Sequence, residues 1–261
     1  MIAGLFDWLA DPAHWTGPSG VPARLVEHLT YSAITLLVAG VVGVAAGLWV
    51  GHTGRGTVAV AGLANALRAL PTLGLLILAV ILLAPRLAGQ AAFVAPALLV
   101  LVVLAVPPVL TSTYAGIAGV DPATRDAAAG MGMTPRQVLW RVEVPCAMPL
   151  IFSGLRSAAL QIVSTATVAA YVSLGGLGRF LLDGQAVRDY PQMLAGALLV
   201  AVLALGLDLV LAVVQRIAVP RGLTGRYRRR DRRPRSVPAL TLARSGSGST
   251  TGPRPTGETT S

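Results

Sequence analysis

Asp121-Pro-Ala-Thr-Arg125-Asp-Ala-Ala-Ala-Gly130-Met-Gly-Met-Thr-Pro135-Arg-Gln-Val-Leu-Trp140-Arg-Val-Glu-Val-Pro145-Cys-Ala-Met-Pro149 is the most polar stretch between Val94 and Ala170, with very apolar segments on both sides. It contains two helix starts. Asp121 followed by Pro122 is an N-cap with proline at the first helical position, where the missing N–H has no helical partner to lose. Thr134-Pro135-Arg136-Gln137 repeats the pattern and adds the glutamine of a capping box. Gly130 and Gly132 lie between the two starts. The spacing predicts two short helices joined by a glycine-permitted turn. Such a pair, held between apolar segments, needs something to touch on its own side of a membrane.

The flanking segments read as membrane spans. The chain of 261 residues is 54% apolar and 12% charged, the balance of an all-α polytopic membrane protein and not of a soluble domain. Leu29–Val50 is the first expected span, long enough at 1.5 Å per residue to cross a hydrocarbon core of roughly 30 Å. Gly43, Gly47 and Gly51 recur every fourth residue there, a small face suited to close helix packing. Residues 57–84 are apolar apart from Asn65, Arg68 and Pro71. They form one kinked helix, or a surface helix leading into a span from about Thr72. An unpaired arginine in lipid favours the second arrangement. Val94–Ala118 follows, with a kink or unwinding expected at Pro107-Pro108. Met148–Ala170 and Met193–Gln215 complete five spans, or six if residues 57–84 add another.

Polar groups within and between the spans mark pathway candidates. Gln161, Ser164 and Thr165 share one side of the fourth span, and amides and hydroxyls there face protein or water. Gly175, Gly176 and Gly178 lie in Ser173-Leu-Gly-Gly-Leu-Gly178, which permits tight turns but lacks the P-loop pattern. Asp208 is a lone carboxylate in the last span, a functional candidate by default. Pairing with Arg216 or with a neighbouring helix is its plainer role. An ion-driven secondary carrier using Asp208 is the alternative of a different class.

Several chemistries are excluded. The chain has no lysine, so it has no Walker A loop and is no P-loop ATPase. His14, His28 and His52 lack zincin spacing, no Gly-x-Ser-x-Gly elbow occurs, and no metal site is expected. The single cysteine, Cys146, excludes an intramolecular disulfide and reads as a packing residue. No enzyme activity and no bound cofactor are expected of this chain. The net charge of +10 belongs to the end of the sequence: eleven arginines at or after Arg216 face only Asp231 and Glu258. No nucleic-acid partner is inferred from it. The domain reading is an N-terminal segment 1–28, a transmembrane domain 29–223 and a disordered basic tail 224–261. The positive-inside rule puts the tail in the cytoplasm, and five spans place the 121–146 loop on the same face. Trp8 and Trp15 put the N-terminal segment at a membrane interface or leave it a poorly ordered terminus. Without a basic n-region, no removable signal peptide is expected.

Asp126-Ala127-Ala128, three residues, Gly132, nine residues, then Val142-Glu143-Val144-Pro145 resembles the coupling motif of ABC-importer permeases, Glu-Ala-Ala, three residues, Gly, nine residues, Ile-x-Leu-Pro. Aspartate replaces glutamate, and valines replace isoleucine and leucine. The resemblance covers about residues 25–223. It implies a type I ABC-importer permease fold in a bacterial cell membrane. Asp126, Ala127, Ala128, Gly132, Val142, Val144 and Pro145 would form coupling helices that dock into a groove on an ATPase subunit. The implied partners are ABC ATPase subunits carrying ATP and Mg, a second permease, identical or different, and an extracytoplasmic substrate-binding protein. The Gly-Gly-Leu-Gly segment resembles that of betaine-type and methionine-type permeases, and together with the ending from Leu203 to Leu223 it is most similar to the osmoprotectant branch, which carries glycine betaine, carnitine, choline or proline. Arg179 stands where that branch carries an acidic residue. Methionine or another amino acid is the second cargo considered.

Overall fold

The computed structural model describes residues 2–219. Among them every regular element is helical. A short α1 (Ile2–Ala10) precedes α2 (Val21–Thr53), and α3 (Thr57–Ala69) leads to α4 (Thr72–Leu83). Then come α5 (Ala91–Ala118), α6 (Pro122–Gly130) and α7 (Pro135–Val138). A π-turn at Leu139–Glu143 joins α7 to α8 (Val144–Ala169), followed by α9 (Gly178–Val187) and α10 (Tyr190–Ala218).

Among the described residues four stretches are long and apolar enough to cross a membrane: Val21–Thr53, Ala91–Ala118, Pro135–Val172 and Tyr190–Ala218. α3 and α4 supply at most one more, bent by 93° at their break. Pro71 cannot donate into a continuing helix and biases Leu70 to an extended conformation, observed at φ −75, ψ 134. The two-helix reading of residues 57–84 therefore holds, and the described residues supply at most five crossings.

The bundle packs around α5. Gly43, Gly47 and Gly51 of α2 lie against Val109, Thr113 and Ile117, so two four-residue stripes mesh. A Cβ on Gly47 would fall 2.6 Å from that of Thr113. The main core joins α4, α5, α8 and the loop after α8 through Leu76, Leu101, Leu104, Ala166 and Leu174. The outward faces of α2 and α10 remain apolar, with Leu37, Val41, Leu205 and Leu209 exposed, as lipid-facing helices require.

Three expectations are corrected. First, α2 starts at Val21, so a boundary after residue 28 falls inside a helix. The polar residues Arg24, Glu27 and His28 do not end it, because each has a partner within the bundle. Second, the N-terminal segment is packed and not a poorly ordered terminus. Trp8 stacks on His14 at 4.0 Å and meets the edge of Phe180 at 5.5 Å, in a cluster with Val21, Leu177 and Ala195. Third, α5 stays helical through Pro107-Pro108, so the unwinding allowed for there does not occur. The expected tail at 224–261 lies outside the described residues.

Candidate functional site

The polar stretch folds as its local signals dictate. The Asp121 side chain accepts from the Ala123 N–H at 2.9 Å and opens α6. Thr134 and Gln137 form the reciprocal capping box, at 2.8 and 3.4 Å. α6 ends in a Schellman motif: Met133 N–H donates to the Ala128 carbonyl and Gly132 N–H to that of Ala129. Gly132 is its left-handed residue, at φ +84, with open space where a side chain would go. The second helix merges through the π-turn into α8, so the pair is continuous with a membrane-crossing helix.

The seven motif residues divide into two groups. Asp126, Ala127 and Gly132 are exposed, together with Met131, Arg136, Trp140 and Arg141. Ala128 is buried against its own chain, so only Ala127 of the alanine pair offers close approach to a partner. Val142, Val144 and Pro145 are half-buried. Val144 packs on a cluster containing Leu48, Ile117, Ala147 and Ile151. These residues anchor the pair to the bundle and do not present it outward.

Behind the pair lies a charge cluster that the sequence reading passed over. The Glu143 side chain is only 3% exposed. Its Oε2 accepts from Nδ1 of His52, the next-to-last residue of α2, at 2.7 Å. Its Oε1 lies 2.8 Å from Nε of Arg125 on α6, an ion pair without hydrogen-bond alignment. Arg125 also donates through Nη2 to the carbonyl of Ile117. The available signal was a carboxylate between two valines within the motif.

The pathway candidates fall in three separate places. Gln161 borders a cavity of about 270 Å³ with Leu67, Leu70, Thr72, Leu104 and Pro107, where α3 breaks into α4. Ser164 and Thr165 bond back to the Gln161 carbonyl at 2.9 and 2.7 Å and do not line that cavity. The glycine loop lies at the other end of α2. Gly176 has φ +90 and donates its N–H to Glu27 Oε2 at 2.8 Å, the oxygen that also takes Arg24 at 2.8 Å. A Cβ on Gly175 would strike Glu27, and one on Gly176 would sit 2.9 Å from Nδ1 of buried His28. Gly178 opens α9 directly against the Thr167 carbonyl. Arg179, where an acid was expected, pairs with Asp183 one turn on, at 2.6 Å.

Asp208 is not a lone carboxylate. Both its oxygens are held by Arg156 of α8, through Nε and Nη2. A bidentate arginine satisfies the acid, so its partner is a neighbouring helix and not Arg216. Asp208 is therefore not the unpaired acid that the ion-driven alternative assumed. Among the described residues no group of histidine, cysteine and acidic side chains is placed to hold a metal.

Comparison with known proteins matches residues 39–222 to the family described as "Binding-protein-dependent transport system inner membrane component". The chain is 34% identical over 199 residues to the glycine betaine/carnitine/choline transport system permease protein OpuCB of Bacillus subtilis, covering 76% of this chain and 88% of that protein. It is 34% identical over 198 residues to the osmoprotectant import permease protein OsmW of Salmonella typhimurium, covering 76% and 91%. The choline transport system permease protein OpuBB of Bacillus subtilis is 32% identical, over 77% and 89%. Among solved structures, the inward-facing MetNI methionine ABC transporter superposes with a TM-score of 0.69 at 20% identity, covering 81% of this chain and all of the other. An amino acid ABC transporter with histidines superposes with a TM-score of 0.62 at 19% identity, covering 76% and 93%. At such identities the structures speak for the fold alone.

Proposed function

The chain belongs to the family of binding-protein-dependent transport system inner membrane components, and from that premise we propose that it is the permease subunit of an ATP-driven importer, forming the membrane path for a quaternary-ammonium osmoprotectant. Glycine betaine, choline, carnitine and proline are the cargo class. The observation that carries the reading is the capped helical pair at 122–138, built on the coupling motif and running without a break into a span. The names of relatives that match about nine-tenths of their own length point to the cargo.

In this reading the face carrying α6 and α7 is cytoplasmic, the compartment to which the positive-inside rule assigns the Arg-rich end of the sequence. Asp126, Ala127 and the turn at Gly132 meet a partner ATPase that binds ATP and Mg. Two permeases, identical or different, enclose the path, and an extracytoplasmic binding protein delivers cargo near the Gly175–Gly178 loop. Closure of the ATPase pair draws the coupling helices together and opens the path outward. Hydrolysis resets it. The chain itself supplies no catalytic group. The methionine and amino-acid importers share its fold, but the cargo follows the relatives of higher identity.

The test is purification of the tagged chain from its native membrane in mild detergent, with partners identified by mass spectrometry. Recovery of a nucleotide-binding subunit and of a binding protein with higher affinity for glycine betaine than for methionine is the expected result. A binding protein selective for methionine would overturn the cargo. Absence of any ATPase, even after crosslinking through Cys146, would overturn the class.

A further inference from the structure

Glu143 stands at the variable position of the motif, between Val142 and Val144. A buried carboxylate is costly unless paired. Here it is paired twice, with residues of two other elements: His52 at the end of α2 and Arg125 on α6. Arg125 in turn reaches the Ile117 carbonyl in the last turn of α5. The π-turn carrying Glu143 leads directly into α8. One carboxylate therefore ties the exposed helix of the coupling pair to α2, α5 and α8. α6 has little else to hold it, because Ala128 is its one buried residue. Without the cluster, α6 would pivot on the left-handed turn at Gly132 and on the short loop after Ala118.

We infer that Glu143 is the positioning residue that makes the coupling pair move as one body with the membrane helices, so that a displacement imposed on α6 reaches the spans. It does so through Arg125 and His52, without touching cargo or nucleotide. The inference rests on the functional reading above. Coupling through a packed ionic cluster requires that both partners be held together, since a free α6 would absorb the displacement locally.

The experiment uses the whole complex, with its ATPase and binding protein, in proteoliposomes, and reads radiolabelled glycine betaine taken up per ATP hydrolysed. Glu143→Gln keeps the shape and removes the charge. The expected result is normal recovery of the ATPase with the permease, continued hydrolysis, and a fall of about tenfold in uptake per ATP, within the usual range of coupling between sites. A partial recovery is expected in the charge swap Arg125→Glu with Glu143→Arg. If Glu143→Gln fails to assemble, the double variant Glu143→Gln with Arg125→Gln leaves no unpaired charge. It is expected to assemble and to remain uncoupled. Uptake per ATP equal to wild type in either assembled variant overturns the positioning role. Absence of ATP-driven uptake by the unmodified complex overturns the functional reading itself, and the inference with it.

Discussion

The side-chain amide of Gln161 donates to the carbonyl of Leu104 at 3.0 Å, and Leu104 is the residue four before Pro108. Proline has no N–H, so that carbonyl has no helical donor. An amide from α8 fills the vacancy, and α5 stays helical through its double proline. Replacing Gln161 by Leu removes the donor and should destabilise the protein by about 1 kcal/mol, lowering the melting temperature in detergent by a few degrees. Adding Pro108→Ala restores a backbone N–H and should return most of the loss. No recovery in the double variant would mean that the bond is incidental.

The contact between α2 and α5 is close enough to test with one methyl group. Gly47→Ala puts a Cβ 2.6 Å from that of Thr113, an overpacking that costs about 1–3 kcal/mol. Gly206→Ala on α10 meets nothing within 4 Å and should be neutral. Thermal melts of the two variants side by side check the difference, and equal melting points would refute the meshed stripes.

At Gly132 the space is open and only the backbone angle constrains the residue. Gly132→Val forces a β-branched residue into the left-handed region, at a cost of about 1–2 kcal/mol or more. It should abolish ATP-driven uptake while the chain still inserts. Gly132→Asn, which tolerates that region, should retain uptake. Uptake assays on membranes with matched permease levels distinguish the two, and equal activity would show that the turn does not govern coupling.

Asp208 and Arg156 form a mutual pair across α8 and α10. Asp208→Leu alone leaves an arginine uncompensated in the membrane and should reduce the amount of inserted protein. Asp208→Leu with Arg156→Leu replaces the pair by apolar groups, which is often neutral, and should restore both insertion and uptake. Loss of uptake in a well-inserted double variant would return Asp208 to the transport chemistry.

Glu27 holds the glycine loop through the Gly176 N–H. Glu27→Leu removes the acceptor and should speed hydrogen exchange at Gly176 by at least tenfold, the factor for a loss of about 1.4 kcal/mol. Glu27→Gln keeps an acceptor oxygen and should leave exchange near the wild-type rate. Mass-spectrometric exchange over residues 173–178 measures both, and an unchanged rate in Glu27→Leu would release the loop from this residue.

What the sequence determined by itself was the structure whose bonds are short in sequence. The caps at Asp121 and Thr134 close within two or three residues, and the turn at Gly132 needs only a residue free to adopt positive φ. Apolar length settled the spans, because lipid offers the backbone no partners. The spacing of Gly43, Gly47 and Gly51 marked a packing face, but not that Val109, Thr113 and Ile117 would fill it.

The tertiary structure decided how Glu27, His28, Gln161 and Glu143 are satisfied, since each of these depends on a group far away in sequence. α2 reaches back to Val21 because Gly176 and Val163 supply partners for Glu27 and His28, 149 and 135 residues on. The proline pair is tolerated because Gln161 lies 57 residues from Leu104 in the chain and 3.0 Å from it in space. Glu143 meets His52 across 91 residues. No local propensity encodes such a meeting; helix packing brings the two together, and the cost of a buried unpaired charge requires that they meet.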